Sequence, residues 1–232
     1  MALPNISTPE FKTKVPSTGE EITYRPFLVK EEKILLMAME GGEAQEIQTA
    51  IMNILNNCIL SNIEVDKLAI FDVEYLFLQL RGKSVGEVID LQVTHQEGEC
   101  PHRTALKLNI DDIKVEGEIS DPKVMLNDEI GVMLRFPNLT DMSFASTGDD
   151  TETLFKLINR CIEYVFDSQE VYNDFTETEI DEWINSLNQT QFEKIVDFFQ
   201  KSPKLQHDIT FKCDACGKEE TVHLEGLQSF FT

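Results

Sequence analysis

Positive charge is scarce in this chain: 20 lysines and arginines stand against 42 aspartates and glutamates in 232 residues, a net charge of −22. Nucleic-acid binding through phosphates needs a basic stripe or patch, and no segment supplies one. Long apolar runs are also missing, and none approaches the roughly 20 residues of a membrane-crossing helix. The first residues, Met1 to Asn5, lack the basic start of a signal peptide, so the expected compartment is the cytoplasm. Cysteine is sparse. An odd five, two of them spaced C-x-x-C, suits a reducing compartment better than a disulfide framework. Catalytic signatures are absent: there is no G-x-x-x-x-G-K-[ST], G-x-G-x-x-G, G-x-S-x-G or H-E-x-x-H. With 42 acidic residues a carboxylate pair found by eye carries almost no information, so the expectation is a protein that is not an enzyme.

What is present is a motif written twice. IDLQVTHQEGECPHRTALKLNI holds His95 and Cys100, and HDITFKCDACGKEETVHLEGL holds Cys213 and Cys216. Aligned at the second cysteine, each has a β-prone run before its first candidate ligand, Val93-Thr94 in one and Phe211-Lys212 in the other. Each then has a return strand, with Leu106 and Leu108 in the places of Val222 and Leu224. Two such hairpins facing each other make a four-ligand tetrahedral site of the zinc-ribbon kind, because Zn²⁺ prefers thiolate and imidazole to water. Gly217 directly after Cys216 suits a knuckle turn that needs positive φ. The expected ligands are His95, Cys100, Cys213 and Cys216, with His102 competing for the place of His95. A redox pair at Cys213 and Cys216 fits less well, since that motif opens a helix and this one is flanked by strands. With all four positions filled by protein the metal would be structural, a clamp joining residues near 100 to those near 215 and holding the helices from Thr151 to Lys201 as one unit. Cys58 and Cys161 lie in apolar helical surroundings and read as buried small hydrophobes.

Hydrophobic content of 41% is enough for a packed core at this length. The fold class expected is α+β, with four segments. Residues 1–87 form an N-terminal hairpin (Glu10 to Val15 and Glu20 to Tyr24) and helices near 30–40, 44–61 and 69–81. Residues 88–136 hold the first knuckle hairpin and a central β layer that takes in 113–115, 123–126 and 132–136. Residues 137–203 are helical: Thr151 to Phe166 by its apolar spacing, then two helices opened by the capping boxes Thr176-x-x-Glu179 and Thr190-x-x-Glu193. Residues 204–232 hold the second knuckle hairpin, packed with 88–110, and a tail. Phe230 and Phe231, close to the last residue, must dock on something, and the protein's own core is the favoured site. The acidic run Phe175 to Trp183 is read first as a solvated face and second as a surface for a basic partner.

Two segments resemble a known family. Tyr24-Arg25-Pro26-Phe27-Leu28-Val29-Lys30-Glu31-Glu32-Lys33, followed by Leu35-Leu36-Met37-Ala38, is similar to the opening of the baseplate hub and hub-assembly proteins of T-even-type contractile-tailed phages. Phe211 to Gly217, with Leu224-Glu225-Gly226-Leu227 and Phe230-Phe231, resembles the end of the same family. That family usually shows cysteines in the first hairpin as well; here His95 stands where a cysteine is expected. The resemblance implies a non-enzymatic tail protein made in the infected bacterial cytoplasm. Its partners would be other baseplate hub or tail proteins, with no nucleic acid, membrane or small-molecule substrate. A second reading, from the knuckles and the acidity alone, is a zinc-ribbon adaptor or regulator of transcription acting through an acidic surface.

Overall fold

A computed structural model describes residues 6–94, 100, 102–142 and 150–230. These form six α-helices and eleven strands, the strands divided among four small antiparallel sheets. The chain separates into two compact units, Met1–Glu116 with Lys204–Thr232, and Gly117–Pro203.

The first unit opens with strands β1 (Phe11–Lys14) and β2 (Glu21–Tyr24), paired Phe11↔Tyr24 through Lys14↔Glu21. Alternation puts Ile22 and Tyr24 in the core. Helix α1 (Val29–Gly41) follows and stops at Gly42, whose φ of 73° and N–H to the Ala38 carbonyl form a left-handed cap. Helix α2 (Ala44–Cys58) buries Ala50, Ile51, Ile54, Leu55 and Cys58 along one face, as its apolar spacing implied. Helix α3 (Ile70–Ser84) is buried on most sides, including Val73, Phe77, Leu78 and Leu80. Strands β3 (Val88–Val93) and β4 (Thr104–Asn109) make the first hairpin, with Ile89, Leu91 and Leu108 turned inward. Strand β5 (Lys114–Glu116) closes this stretch.

The second unit begins with β6 (Lys123–Met125) and β7 (Gly131–Leu134). Helix α4 (Asp150–Cys161) leads into β8 (Ile162–Phe166), which pairs with β7 through Val132↔Val165, and β9 (Val171–Tyr172) completes the sheet in the order β6-β7-β8-β9. The expected helix from 151 to 166 is therefore a helix and a strand. Ile162-Glu163-Tyr164-Val165-Phe166 is β-branched and aromatic, and pairing with β7 outweighs the helical spacing that carried the reading past Cys161. Helix α5 (Glu177–Asn185) has the expected capping box, Thr176 Oγ1 accepting from the Glu179 amide while Glu179 accepts from the Thr176 amide at 2.8 Å. Helix α6 (Gln189–Gln200) starts earlier than expected, because Asn188 and Gln191 form its box and Thr190 lies inside the helix. Leu126, Val132, Leu134, Ile158, Ile162, Val165, Ile180, Ile184, Ile195 and Phe198 form this unit's own core. Phe136 stacks on Phe198 and Phe155 on Phe192, each pair with ring centres 4.9 Å apart.

Strands β10 (Lys204–Lys212) and β11 (Glu219–Glu225) return to the first unit, where β10 pairs with β5 at Lys204↔Glu116, Leu205↔Val115 and Gln206↔Lys114. The second unit thus leaves and re-enters between two paired strands of the first. A single central β layer is not formed. The strand at 114–116 joins β10 in the first unit, whereas those at 123–125 and 131–134 build the sheet of the second. The tail ends in a 3₁₀ turn, Leu227–Phe230, with Phe230 fully buried, and the Glu74 carboxylate accepts from the Leu227 amide at 3.0 Å. Phe231 lies outside the described residues.

One arrangement occurs twice. In the first unit the Arg25 amide donates to the Cys58 carbonyl, and its guanidinium reaches the Pro26 carbonyl, the Asn57 carbonyl and the Glu31 carboxylate (3.0 Å). In the second, the Arg135 amide donates to the Cys161 carbonyl, and its guanidinium reaches the Phe136 carbonyl, the Arg160 carbonyl and both oxygens of Asp141 (2.6 and 3.0 Å). Each carboxylate also accepts from the amide three residues before it, Leu28 at 2.8 Å and Asn138 at 2.9 Å. The neighbouring backbone pairs the same way, Tyr24 with Ile59 and Leu134 with Ile162.

Candidate metal centre

The second knuckle is built by backbone geometry around Cys213. The Cys213 amide donates to the Lys218 carbonyl and the Gly217 amide to the Cys213 carbonyl, both at 2.9 Å, and Gly217 takes φ 72°, the conformation its position suggested. Seven cross-strand pairs from Gln206↔Glu225 to Lys212↔Glu219 hold the hairpin on which the turn sits. The first hairpin is held by six pairs, from Val88↔Asn109 to Val93↔Thr104, and places Cys100 in the connection between its strands. As the doubled motif implied, Leu108 in β4 and Val222 and Leu224 in β11 are buried return-strand residues, while Leu106 is half-buried.

These hairpins bring Cys100, Cys213 and Cys216 together. Their sulfurs all lie within 4.8 Å of one another, and Cys100 Sγ is 3.9 Å from Cys213 Sγ. A disulfide would need about 2.05 Å. Four ligands set tetrahedrally about zinc at the usual Zn–S distance of about 2.3 Å are about 3.8 Å apart. Cys213 is buried, Cys100 half-buried and Cys216 exposed. The three thiols can hold a metal ion, and sulfur donors in this number select a thiophilic one.

Without a bound cation the surroundings disfavour a Cys100 thiolate. The His102 backbone amide favours the Cys100 thiolate, but desolvation and the neighbouring thiols of Cys213 and Cys216 outweigh it and push the Cys100 thiol above its ordinary value. A bound cation would reverse this, since thiolate ligands are deprotonated by the metal they bind. Cys58 and Cys161 behave differently. Burial raises them to about 11 and about 12, and both sit fully buried at helix ends, inert as expected.

His102 is exposed and stands outside the cysteine group, while His95 lies outside the described residues. The cysteines belong to the first unit and the helices α4, α5 and α6 to the second, which carries its own core. The cysteines bring together the two hairpins of the first unit, while the helices from 151 to 201 lie in the other unit. In the acidic run at 175–183, Glu179 caps α5 while remaining exposed.

Residues 8–232, nearly the whole chain, match the family of T4 bacteriophage base plate proteins. The chain belongs to that family. No curated protein and no solved structure matches it significantly. For this base plate family member, no helix among the described residues is long and apolar enough to cross a membrane. The paired arginine clamps escaped the sequence reading, although Leu55-Asn56-Asn57-Cys58-Ile59 and Ile158-Asn159-Arg160-Cys161-Ile162 carry a visible common pattern.

Proposed function

We propose that this chain is a non-enzymatic structural or assembly protein of the baseplate hub in a contractile phage tail, made in the host cytoplasm and bound to other hub or tail proteins. The observation that carries the reading is the family match over residues 8–232. In this reading zinc fastens the β3–β4 hairpin to the β10–β11 hairpin, with Cys100, Cys213 and Cys216 as thiolate ligands and His95 as the fourth. The sulfur spacing and a donor set suited to a thiophilic metal support the three cysteine ligands. The metal closes a covalently distant contact, so its binding energy would appear as folding energy of the first unit. The role asked of it is structural, because a fourth protein ligand leaves no position for water or substrate.

Affinity purification of the tagged chain from infected cells, read by mass spectrometry together with purified virions, tests the hub assignment. Stable co-purification with hub or tail subunits is the expected result. Recovery of RNA polymerase with no tail protein would overturn it in favour of a transcription adaptor.

A further inference from the structure

The chain passes between its two units twice, and both passages fall at one place. Glu116 ends β5 and Lys204 opens β10, and these two residues are directly opposite each other in the pairing of the strands. Immediately beyond them the second unit brings its own ends together. Gly117 takes φ 130°, a Cβ there would lie 2.7 Å from the Pro203 Cα, and the Glu118 amide donates to the Lys201 carbonyl at 3.2 Å. Only glycine combines that backbone conformation with so close an approach. The ends are also tied inward. Ser202 Oγ donates to the carbonyl of Phe198, a core residue, and the Lys194 amino group donates to the Met125 and Leu126 carbonyls, so α6 is held beside the end of β6.

The second unit carries what it needs to hold this geometry. Gly117–Pro203 is 87 residues (203 − 117 + 1), an ordinary length for a domain, with its own core and its own four-stranded sheet. Its clamp of Arg135 and Asp141 repeats the clamp of Arg25 and Glu31 contact for contact, so each unit closes its helix onto its strand without borrowing from the other.

The β5–β10 pairing is far less self-sufficient. Strand β5 is three residues long and meets β10 at three positions only. A ladder this short is marginal by itself. Were 117–203 unfolded, the two strands would have to meet across an open loop whose radius of gyration is about 30 Å, when paired strands need their Cα atoms about 5 Å apart. The entropy of closing a loop grows with its length, and three pairs do little to offset it. We propose that the second unit is a folded spacer set into the turn between β5 and β10: its folding holds those strands side by side, so this part of the first unit depends on the second while the second does not depend on the first. The proposal uses neither the hub assignment nor the metal.

Hydrogen exchange on the full chain tests it. Ile195→Asp places a charge in the fully buried core of the second unit and opens that unit. Amides of β5 and of the facing part of β10 should then exchange at least about tenfold faster, while those of α2 around Ile54 keep their protection. Leu55→Asp, an equivalent change in the core of the first unit, should leave the amides of α6 and β7 protected. A third variant supplies the closure by a covalent bond: Glu116→Cys with Lys204→Cys, joined as a disulfide and confirmed by peptide mapping, suits the spacing of opposed strand residues. Adding Ile195→Asp to it should leave β5 and β10 protected although the second unit is open. If Ile195→Asp is not recovered in soluble form, Ile195→Ala in rising urea gives the same comparison. Unchanged protection of β5 and β10 in Ile195→Asp would overturn the proposal. So would loss of protection in α6 on Leu55→Asp, which would make the two units one cooperative body, or a loss at β5 and β10 that the disulfide fails to restore.

Discussion

Cys100 Sγ and Cys213 Sγ lie 3.9 Å apart although 113 positions separate them in the chain. Nothing local could produce that approach. It depends on β10 pairing with β5 and on two hairpins built independently of one another. The separation is close to the ligand–ligand edge of a tetrahedral zinc site and too long for a covalent bridge, so the two chemistries predict different measurements. Elemental analysis of protein purified without chelator is expected to give about one zinc per chain. Cys213→Ser and Cys216→Ser should each bring it well below that, while Cys161→Ser, at a buried and protonated thiol, should leave it unchanged. Non-reducing mass analysis should find no Cys100–Cys213 disulfide; full loss of free thiols in metal-free protein would refute the metal reading.

Where the clamp acts can be read by hydrogen exchange. Chelation should strip protection from β3, β4, β10 and β11, whose pairing frames the cysteines. Amides in α6 and in β7, around Ile195 and Val132, should keep theirs, because that core belongs to the other unit. Equal loss in both units would return the clamp to the wider role that the chain's linear order suggested.

The two arginine clamps give the largest expected losses from single substitutions. Glu31 and Asp141 are 1% and 3% exposed, and each is the charged partner of an arginine that also holds a carbonyl near a helix end. Glu31→Gln and Asp141→Asn should each cost about 2–4 kcal/mol, since they leave a guanidinium desolvated and short of a charged partner. The exposed pair Lys12–Glu21, broken by Glu21→Gln, should change stability far less than either clamp substitution. Urea denaturation of the variants checks both expectations, and equal effects at Glu31 and Glu21 would remove the clamp's special standing.

These clamps also mark the limit of what could be read in advance. The hairpins, α1, α2, α3 and the capping box at Thr176 were legible, because their periodicity and caps are local. The cysteine group was legible because ligand spacing is a chemical pattern that survives sequence separation. What failed depended on partners far along the chain. Ile162 to Phe166 becomes a strand only because β7 offers it an edge, and Lys114 to Glu116 leaves the expected layer because β10 pairs with it from far along the chain, Lys204 opposite Glu116. Likewise nothing local marks Arg25 and Arg135, whose amides bond to the Cys58 and Cys161 carbonyls far along the chain.

Acid should dismantle the clamps in a defined window. Burial raises the Glu31 carboxyl, but the Leu28 amide, Arg25 and Lys30 outweigh it and hold the group below its ordinary value. Asp141 is held low in the same way, Arg135 and the Asn138 amide outweighing burial. A depressed carboxyl adds stability that is complete above the unfolded value of about 4 and is lost as pH falls through the folded value. Denaturation midpoints taken from pH 6 downward should therefore fall more steeply for the wild type than for Glu31→Gln or Asp141→Asn, the curves converging in acid. Parallel curves would show that neither carboxylate is linked to folding.

Asp72 should behave with the opposite sign. It is fully buried; Oδ1 accepts from the Ser17 amide at 2.8 Å, and Oδ2 has no hydrogen-bond partner among the described residues. Burial outweighs the Ser17 contacts and raises its carboxyl. A raised carboxyl is held protonated by the fold, so it costs nothing below the unfolded value of about 4 and lowers stability as pH rises toward and through the folded value. Asp72→Asn keeps the acceptor for Ser17 and cannot ionise. It should stabilise the protein at pH 7 and lose that advantage below about pH 4, the reverse of Asp141→Asn. Melting temperatures of the two variants at pH 7 and pH 4 decide it: destabilisation by Asp72→Asn at pH 7 would mean that the ionised carboxylate is held by a partner and belongs with the clamps.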